Sequence, residues 1–402
     1  MATATRIMLV CVLNAFWLCG CSSHSVSAAS SPSPGTSAPQ ISFYPYQQGW
    51  LGADSAYSIP LSTGRSLWLF GDTFVGNTSA KDRSAVYGMP RNSVAIATCA
   101  AGGTCAMQYF WSHMGTTAPK AFFDTQSSDW YWPLDGFVAN GSLYIFLEQM
   151  HSQGTGAFGF AYSGVVLATI PNFSDSPDKW MVQYQTVLSG DAAVPGPAAV
   201  TQQGAGGNPF PSDPNGAAYV YLFTWAEAAD GTAYTGLTRI PLGKLGSASL
   251  AAGYWQYLTS GNVWASWAAS TVLPDNALHV MNAGYTEFTV KYHATTGQSG
   301  KWLAVMPSST FMDKRGVYSV ADSLAGPWTA PATLYSYPEM QAANPSYTPN
   351  VFCYADKEHP ELETANALVF TYACNSMQES DVIANPKLYH PMPVTVTLPF
   401  NP

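Results

Sequence analysis

The sequence predicts an all-β protein that folds as a five-bladed β-propeller from about residue 41 onward. Short runs rich in Val, Ile, Tyr, Phe and Trp alternate with Gly, Asn, Asp and Pro, as strands alternate with turns. Long helix-periodic segments are absent from the sequence. Units made of a turn and an aromatic-rich strand recur at intervals of roughly 60 to 80 residues, a spacing typical of four-stranded blades with long loops.

The repeating units set the predicted number of blades at five. They lie near residues 62–74, 140–150, 215–227, 276–292 and 364–375. Explicit turn signals precede three of the strands: "STGRS", "ANGS" and "DPNGA". A β-sandwich or a propeller with six blades would fit the same spacing, so these two folds remain open alternatives.

The N-terminus predicts export and attachment to a membrane. Arg6 precedes the apolar run "IMLVCVLNAFWL", which has the length of a signal-peptide core and is short for a membrane span. The run ends in "LCGC", which resembles a bacterial lipoprotein signal over residues 1–20, with Cys21 as the lipidated N-terminus. An ordinary secretory signal is the alternative. Residues 21–40 are rich in Ser, Pro and Ala and predict a flexible tether. We therefore expect residues 41–402 to form a lipid-anchored domain of the bacterial cell envelope, periplasmic or on the cell surface.

The cysteines fit an oxidising compartment. Of seven cysteines, Cys11 and Cys19 would leave with the signal peptide and Cys21 would carry lipid. An even number then remains, and we expect two disulfides, Cys99 with Cys105 and Cys353 with Cys374. Close-spaced pairs of Cys or His ligands are missing, so the sequence predicts no metal site and no cofactor.

The amino-acid composition limits the classes of ligand that the protein can bind. The chain has 402 residues, of which 47% are hydrophobic and only 15 are Lys or Arg, and its net charge is −9. Nucleic-acid binding needs clustered basic residues, and no such cluster occurs. Sugars suit a surface rich in neutral polar and aromatic side chains, because aromatic rings stack on their C–H faces. We expect a monomer that binds a carbohydrate polymer or oligosaccharide.

Three carboxyl side chains have the placement needed for a site on the propeller axis. Asp54 precedes "SAYSIPL", Asp135 lies in "WYWPLDGFV" and Glu287 lies in "GYTEFTVKY", each near a predicted inner strand. Glycoside hydrolysis needs one protonated and one ionised carboxyl, and a third can tune the acid. Each residue could instead be a turn acid that accepts backbone hydrogen bonds, above all Asp135 before Gly136. Asp72 in "FGDTF" is either a site residue or a strand-end cap.

Several motifs resemble a known family. "GADSAYSIPL", "GRSLWLFGDTFVG" and "MPRNSVAI" are similar to the opening of the family named domain of unknown function 4185 and its relatives. "SLAGPWTAP", "HPEL" and "LVFTYACN" resemble later turns and strands of such propellers. The resemblance implies a five-bladed propeller glycosidase, and some members of that family are endo-D-arabinanases that act on mycobacterial arabinan.

The resemblance also implies site residues. Asp54 and Asp72 would share the first-blade site, with Arg91 and Asn92 as substrate contacts. We expect Asp54 to be the ionised base, kept charged by Arg91. No motif fixes the general acid: Glu287 is our choice, and Glu148, Glu227 and Glu361 remain open. Two further substrate contacts are expected: Trp132 and His359, the latter with a structural role as its alternative.

Two functions are compatible with these residues. The first is an extracytoplasmic glycoside hydrolase that cleaves an arabinan-like or other cell-wall glycan. The second is a surface-tethered propeller that binds glycan without cleaving it, because aromatic loops such as "DWYWP" stack sugars in either case. A lipoprotein scaffold for protein partners is a third possibility, which only the tether favours.

Overall fold

The computed structural model describes residues 39–400, apart from 80–82, 101, 155–158, 191–192, 202–207, 247–252, 268–271, 296–297 and 365. The predicted signal peptide, the lipidation site Cys21 and almost all of the tether lie outside the described residues. Within them the chain forms five antiparallel sheets in sequence order.

The first two sheets span residues 50 to 189. Blade 1 contains β1 (Trp50–Ser62), β2 (Arg65–Gly76), β3 (Val86–Gly88), β4 (Ser93–Thr98) and β5 (Ala106–Phe110). Blade 2 contains β6 (Trp130–Ala139), β7 (Ser142–Ser152), β8 (Phe160–Ile170) and β9 (Gln183–Ser189). In both blades the first strand is the innermost, and the strands then follow outward, with β3 on the side of β2.

The other three sheets repeat this arrangement. Blade 3 contains β10 (Ala193–Val200), β11 (Tyr219–Glu227), β12 (Ala233–Pro241), β13 (Gln256–Leu258) and β14 (Trp264–Ser266). Blade 4 contains β15 (Thr289–Thr295), β16 (Gln298–Pro307), β17 (Arg315–Ala321) and β18 (Ala332–Ser336). Blade 5 contains β19 (Val351–Glu358), β20 (Ala367–Ser376) and β21 (Met392–Thr397).

The inner strands close a ring. Strand β1 packs against β6, β6 against β10, β10 against β15, β15 against β19, and β19 returns to β1. The prediction of a five-bladed propeller is thereby confirmed, and neither a β-sandwich nor a six-bladed propeller fits. Four of the five predicted units are the second strands of their blades (β2, β7, β11 and β20), whereas the unit at 276–292 ends in the inner strand β15.

The core lies between neighbouring blades. Because each second strand is covered on both faces, its sequence is a continuous apolar run instead of an alternating one. In β2, for example, Leu67, Trp68, Leu69 and Phe70 are all fully buried. Trp68 and Phe70 pack towards blade 5 with Val369, while Leu67 and Leu69 pack towards blade 2 with Leu147.

β-Bulges interrupt most of the inner strands at comparable positions. The pairing register shifts between Ala53 and Tyr57 in β1, Pro133 and Gly136 in β6, Pro195 and Ala198 in β10, and Tyr354 and Lys357 in β19. A bulge adds a residue to one strand and re-aims its side chains. The bulges therefore decide which side chains of the inner strands reach the axis.

The described residues contain one α-helix, α1 (Glu379–Ala384), between β20 and β21. Short 3-10 turns occur at Arg83–Ala85, Pro177–Lys179, Gly216–Ala218, Leu242–Lys244, Pro338–Met340 and Pro360–Leu362. None of the helices in the described part of the chain has the length and apolar character needed to cross a membrane.

Both predicted disulfides are present. Cys99–Cys105 joins the end of β4 to the start of β5, and Cys353–Cys374 joins directly opposed residues of β19 and β20. The sequence separations are 6 and 21 residues.

Removal of the second disulfide is expected to cost more stability than removal of the first. Loop-closure entropy gives about 2 kcal/mol for the short loop and about 3 kcal/mol for the long one. Paired Cys→Ser variants compared by urea unfolding would measure both costs. A larger loss for the Cys99/Cys105 pair would contradict this prediction.

Candidate active site

A pocket of about 310 Å³ opens at the end of the propeller where the inner strands begin. Five carboxyl side chains line it. One, Asp313 in the loop before β17, pairs with Arg315 at 2.9 Å. The other four are Asp54 of β1, Asp72 of β2, Glu148 of β7 and Glu287 just before β15. Strands of blades 1 and 2 and the segment that enters blade 4 thus bring these groups together, although up to 233 residues separate them in the sequence. Such a concentration of carboxyls in a concave site marks a functional-site candidate.

Strained backbone turns Asp54 into the pocket. The two residues that follow it, Ser55 and Ala56, have φ angles of 67° and 64° within the bulge of β1. Non-glycine residues rarely adopt this left-handed conformation, and it persists only where surrounding structure fixes it. Such strain is concentrated at functional sites, and here it re-aims the carboxyl side chain.

Two tyrosines hold the Asp54 carboxyl. Tyr354 Oη donates a hydrogen bond to Oδ2 at 2.5 Å, and Tyr389 Oη donates to the same oxygen at 3.1 Å. Tyr389 itself has a φ angle of 55°, and Tyr354 is followed by Ala355 at 62°. The other oxygen, Oδ1, lies against Gly71, where a Cβ atom would approach it to 2.4 Å. The glycine of "FGDTF" therefore makes room for the carboxyl, which is oriented before any ligand binds.

Burial and like charge raise the pKa of Asp54 to about 8. Burial is the largest cause, followed by the charges of Glu287 and Asp72, and the two tyrosine hydrogen bonds oppose the shift. The carboxyl of Asp54 is thus mostly protonated at neutral pH. The sequence-based expectation was the opposite, an Asp54 kept ionised by Arg91.

Arg91 contacts Asp72 instead. Its Nη1 donates to Asp72 Oδ2 at 2.9 Å, and Trp132 Nε1 donates to Oδ1 at 2.9 Å. Burial raises the pKa of Asp72, while Arg91 and the Trp132 hydrogen bond oppose that shift. The Arg91 guanidinium also lies over the ring of Trp130, 4.3 Å from its centroid. The expectation that Arg91 neutralises Asp54 was wrong, because Arg91 pairs with Asp72 and the charges that act on Asp54 are those of Glu287 and Asp72.

A buried lysine accompanies Glu287. Lys357 Nζ lies 3.5 Å from Glu287 Oε1, and the side chain of Lys357 is fully buried over the ring of Tyr57. Burial lowers the pKa of Lys357, and the Glu287 charge opposes that shift. Lys357 therefore places a buried amino group of blade 5 beside the Glu287 carboxyl. Sequence reasoning missed Lys357, although four consecutive ionisable residues in the apolar strand "VFCYADKEH" were a signal.

Glu148 forms no ion pair with a Lys or Arg among the residues that the structure describes. It is 8% exposed and lines the pocket. Burial raises its pKa to about 8, and the charge of Glu287 adds to the shift. The charge of Glu287 therefore raises the pKa of both Asp54 and Glu148.

Asp135 does not line the pocket. Its side chain is 1% exposed, and its oxygens accept hydrogen bonds from the backbone N–H groups of Gly136 and Ala199 at 2.8 and 2.9 Å. Lys291 Nζ lies 3.6 Å from the same carboxylate. Asp135 thus joins β6 to β10 inside the axis, and the expectation that it is catalytic does not agree with this geometry. The alternative that Asp135 is a turn acid, which accepts backbone hydrogen bonds, agrees with these contacts.

Asn92 and His359 are also structural. Asn92 is fully buried and bonds the backbone of Phe123 and Tyr131. His359 is fully buried, with Nδ1 2.7 Å from Ser58 Oγ and Nε2 2.8 Å from Thr371 Oγ1. Neither can contact substrate, because neighbouring strands enclose both side chains. Two open alternatives, Glu227 and Glu361, also do not line the pocket.

Aromatic side chains form two walls around the carboxyls. Trp132 and Phe160 of blade 2 lie edge to face at 4.8 Å. Phe352 contacts both Phe311 and Tyr354, at centroid distances of 5.4 and 5.5 Å. All five line the pocket. Rings of this kind can stack on the C–H faces of a sugar while the carboxyls approach its oxygens.

Comparison with known proteins identifies the family. Residues 41–397 match the family described as "Domain of unknown function (DUF5005)". The chain belongs to DUF5005. This match spans all five blades of the DUF5005 domain, whereas membership of family 4185, expected from the motifs, is not shown. No curated protein matches the sequence as a relative.

One solved structure resembles this chain in fold over most of its length. A provisionally named hydrolase from Bacteroides ovatus is 15% identical and has a TM-score of 0.61, with 86% of this chain and 85% of that chain covered. Weaker likenesses include a GH43 β-xylosidase/α-arabinofuranosidase from a compost microbial metagenome (12% identity, TM-score 0.41, coverage 87% and 92%). Another is a GH43_1 enzyme from Xanthomonas citri (11% identity, TM-score 0.43, coverage 86% and 87%). At these identities the likeness concerns the fold alone.

Proposed function

We propose that this DUF5005 protein is an extracytoplasmic glycoside hydrolase, with an arabinan-like or other cell-wall polysaccharide as substrate. The observation that carries the proposal is the difference in surroundings between two pocket carboxyls: burial and like charge raise the pKa of Asp54 to about 8, whereas Glu287 lies 3.5 Å from the amino group of Lys357. Glycoside hydrolysis requires one protonated and one ionised carboxyl on either side of the scissile bond. The aromatic walls supply the stacking surface that a sugar chain needs.

The proposed roles reverse the ones expected from the sequence. Asp54 would donate its proton to the leaving glycosidic oxygen, with Oδ2 held by the two tyrosines. Glu287, beside Lys357, would activate water or attack the sugar carbon. Asp72 would position the sugar. Arg91 and Trp132 each donate a hydrogen bond to one of its oxygens, so its carboxyl is held in a fixed orientation. Glu148, whose pKa burial raises to about 8, would supply a second carboxyl able to carry a proton in the pocket.

Location is part of the same proposal. Two closed disulfides are typical of proteins that leave the cytoplasm. A lipid anchor at Cys21 would hold the propeller at the cell envelope, where polymeric glycans are present. We propose a monomer, since the pocket is built from one chain.

An activity screen tests the proposal. The protein is incubated with a panel of arabinans, xylans, galactans and bacterial cell-wall glycans, and released reducing ends are measured. Cleavage of one class that disappears in Glu287→Gln would support the proposal. Binding of a glycan without cleavage of any would overturn it and favour the non-catalytic glycan-binding lipoprotein.

Activity is expected to fall as the pH rises through about 8, because Asp54 then loses the proton that it donates. The unfolded chain releases this proton near pH 3.8, so the free energy of unfolding should also decrease as the pH rises from about 4 to about 8. Melting temperatures of wild type and Asp54→Asn, measured across this range, check the second effect without any substrate. An equal pH dependence in both proteins would contradict the raised pKa.

A further inference from the structure

Away from the pocket, three potential metal ligands converge on one another. They are His293 of β15, Glu358 at the end of β19, and Glu363 after the 3-10 turn Pro360–Leu362. One ligand atom from each lies within 4.8 Å of the other two. The closest pair is His293 Nε2 and Glu358 Oε1, at 2.8 Å.

This cluster is separate from the candidate active site. On β19, Tyr354 lines the pocket, and Glu358 comes four residues later. At the rise of a β-strand, four residues span about 13 Å. None of the three ligands lines the pocket, so the cluster lies towards the opposite end of the propeller axis.

A buried oxygen without a partner points to a missing ligand. The side chain of Glu358 is fully buried, and its Oε1 faces His293. Its second oxygen, Oε2, has no hydrogen-bond partner within the part of the chain that the structure describes. An unpaired carboxylate oxygen in the interior is costly unless a proton or a cation satisfies it.

The local charge also favours a cation. Glu361 adds a third carboxyl to Glu358 and Glu363 in the turn that follows β19. Of the nearby lysines, Lys291 lies 3.6 Å from Asp135 and Lys357 lies 3.5 Å from Glu287. Within the described part of the chain, no Lys or Arg forms an ion pair with Glu358, Glu361 or Glu363, and the ion-pair partner of Glu358 is His293.

We propose that His293, Glu358 and Glu363 bind one divalent transition-metal ion, with Zn²⁺ as the preferred ion. An imidazole nitrogen with two carboxylate oxygens suits Zn²⁺, whereas Mg²⁺ and Ca²⁺ prefer oxygen ligands alone. Three protein ligands leave a fourth position for water. His293 is 12% exposed and Glu363 is half-buried, so an ion can enter from solvent.

The bound ion would fasten two blades together. His293 belongs to the inner strand of blade 4, and both glutamates belong to blade 5, which has only three strands. A shared ion would therefore cross-link the last inner strands of the ring. The proposal differs from the sequence-based expectation of no metal, because 65 residues separate His293 from Glu358 and no local spacing announces them. It does not depend on the proposed enzymatic function.

Metal titration tests the site. The full chain, with its disulfides closed and without a histidine tag, is stripped with chelator and titrated with Zn²⁺ by calorimetry. We expect one ion per chain and a rise in melting temperature. His293→Gln should weaken binding by at least tenfold, since even residues that only support a ligand change affinity by about 10- to 100-fold. Glu363→Gln serves as the second variant should His293→Gln fold poorly.

Two controls separate this site from others. Glu148→Gln removes a carboxyl of the pocket, and His113→Gln removes an exposed histidine. Both should bind Zn²⁺ as the wild type does. A wild-type chain that binds no Zn²⁺ would overturn the proposal, as would unchanged binding in both His293→Gln and Glu363→Gln, or loss of binding in Glu148→Gln.

Discussion

Asp54→Asn is expected to lower glycan turnover by about 10³-fold while the protein folds normally and still binds glycan. The amide keeps the shape of the carboxyl and can accept the hydrogen bonds of Tyr354 and Tyr389. It cannot deliver a proton, and a positioned acid–base group typically contributes about 10²- to 10⁴-fold to the rate. The measurement is kcat on the best substrate of the glycan screen, together with the binding constant of the same glycan.

Two further variants serve as controls for the loss of turnover in Asp54→Asn. Asp178→Asn changes an exposed aspartate on the surface of blade 2 and should leave turnover unchanged. Tyr354→Phe removes the shorter of the two hydrogen bonds and should reduce turnover less than Asp54→Asn. Wild-type turnover in Asp54→Asn would remove this residue from the mechanism.

Arg83→Met is expected to cost roughly 3–5 kcal/mol of unfolding free energy, as is typical when a buried polar network loses its central group. Arg83 is 1% exposed and lies after β2, yet it holds the C-terminal segment around α1. Its guanidinium donates to the backbone carbonyls of Leu51, Val382, Asn385, Leu388 and Tyr389. Without it, these carbonyls would be left unsatisfied in the interior.

The same residue connects stability to the site. Gly52 has a φ angle of 118°, and a Cβ there would lie 2.2 Å from the Tyr389 carbonyl and 2.6 Å from Arg83 Nη2. Arg83 Nη2 donates to the Tyr389 carbonyl, so it positions Tyr389, whose hydroxyl donates to Asp54.

Urea unfolding measures the loss of stability in each Arg83 variant. Arg83→Lys keeps the charge but not the planar fork, so an intermediate loss is expected. A loss below about 1 kcal/mol in Arg83→Met would show that the network adds little.

The candidate site was only partly predictable from the sequence. Asp54, Asp72, Trp132 and Glu287 all line the pocket, because carboxyls and aromatics near the ends of inner strands must meet close to the axis. Their partners were not predictable. Tyr354 and Tyr389 lie 300 and 335 residues from Asp54, and nothing in their local sequence distinguishes them from the many other tyrosines.

The sequence by itself determined the all-β class and predicted the five repeats and both disulfides, whereas the closed ring of inner strands excluded the sandwich and the sixth blade. Those features depend on local signals: apolar strands, turn residues, and cysteines at opposed strand positions. Only the tertiary structure decided the charges in the site and which carboxyls reach it. Bulges turn Asp54 into the pocket and leave Asp135 inside the axis, and closure of the ring places Lys357 beside Glu287. A pKa is set by burial and by neighbours within a few ångströms, and in a propeller those neighbours come from different blades.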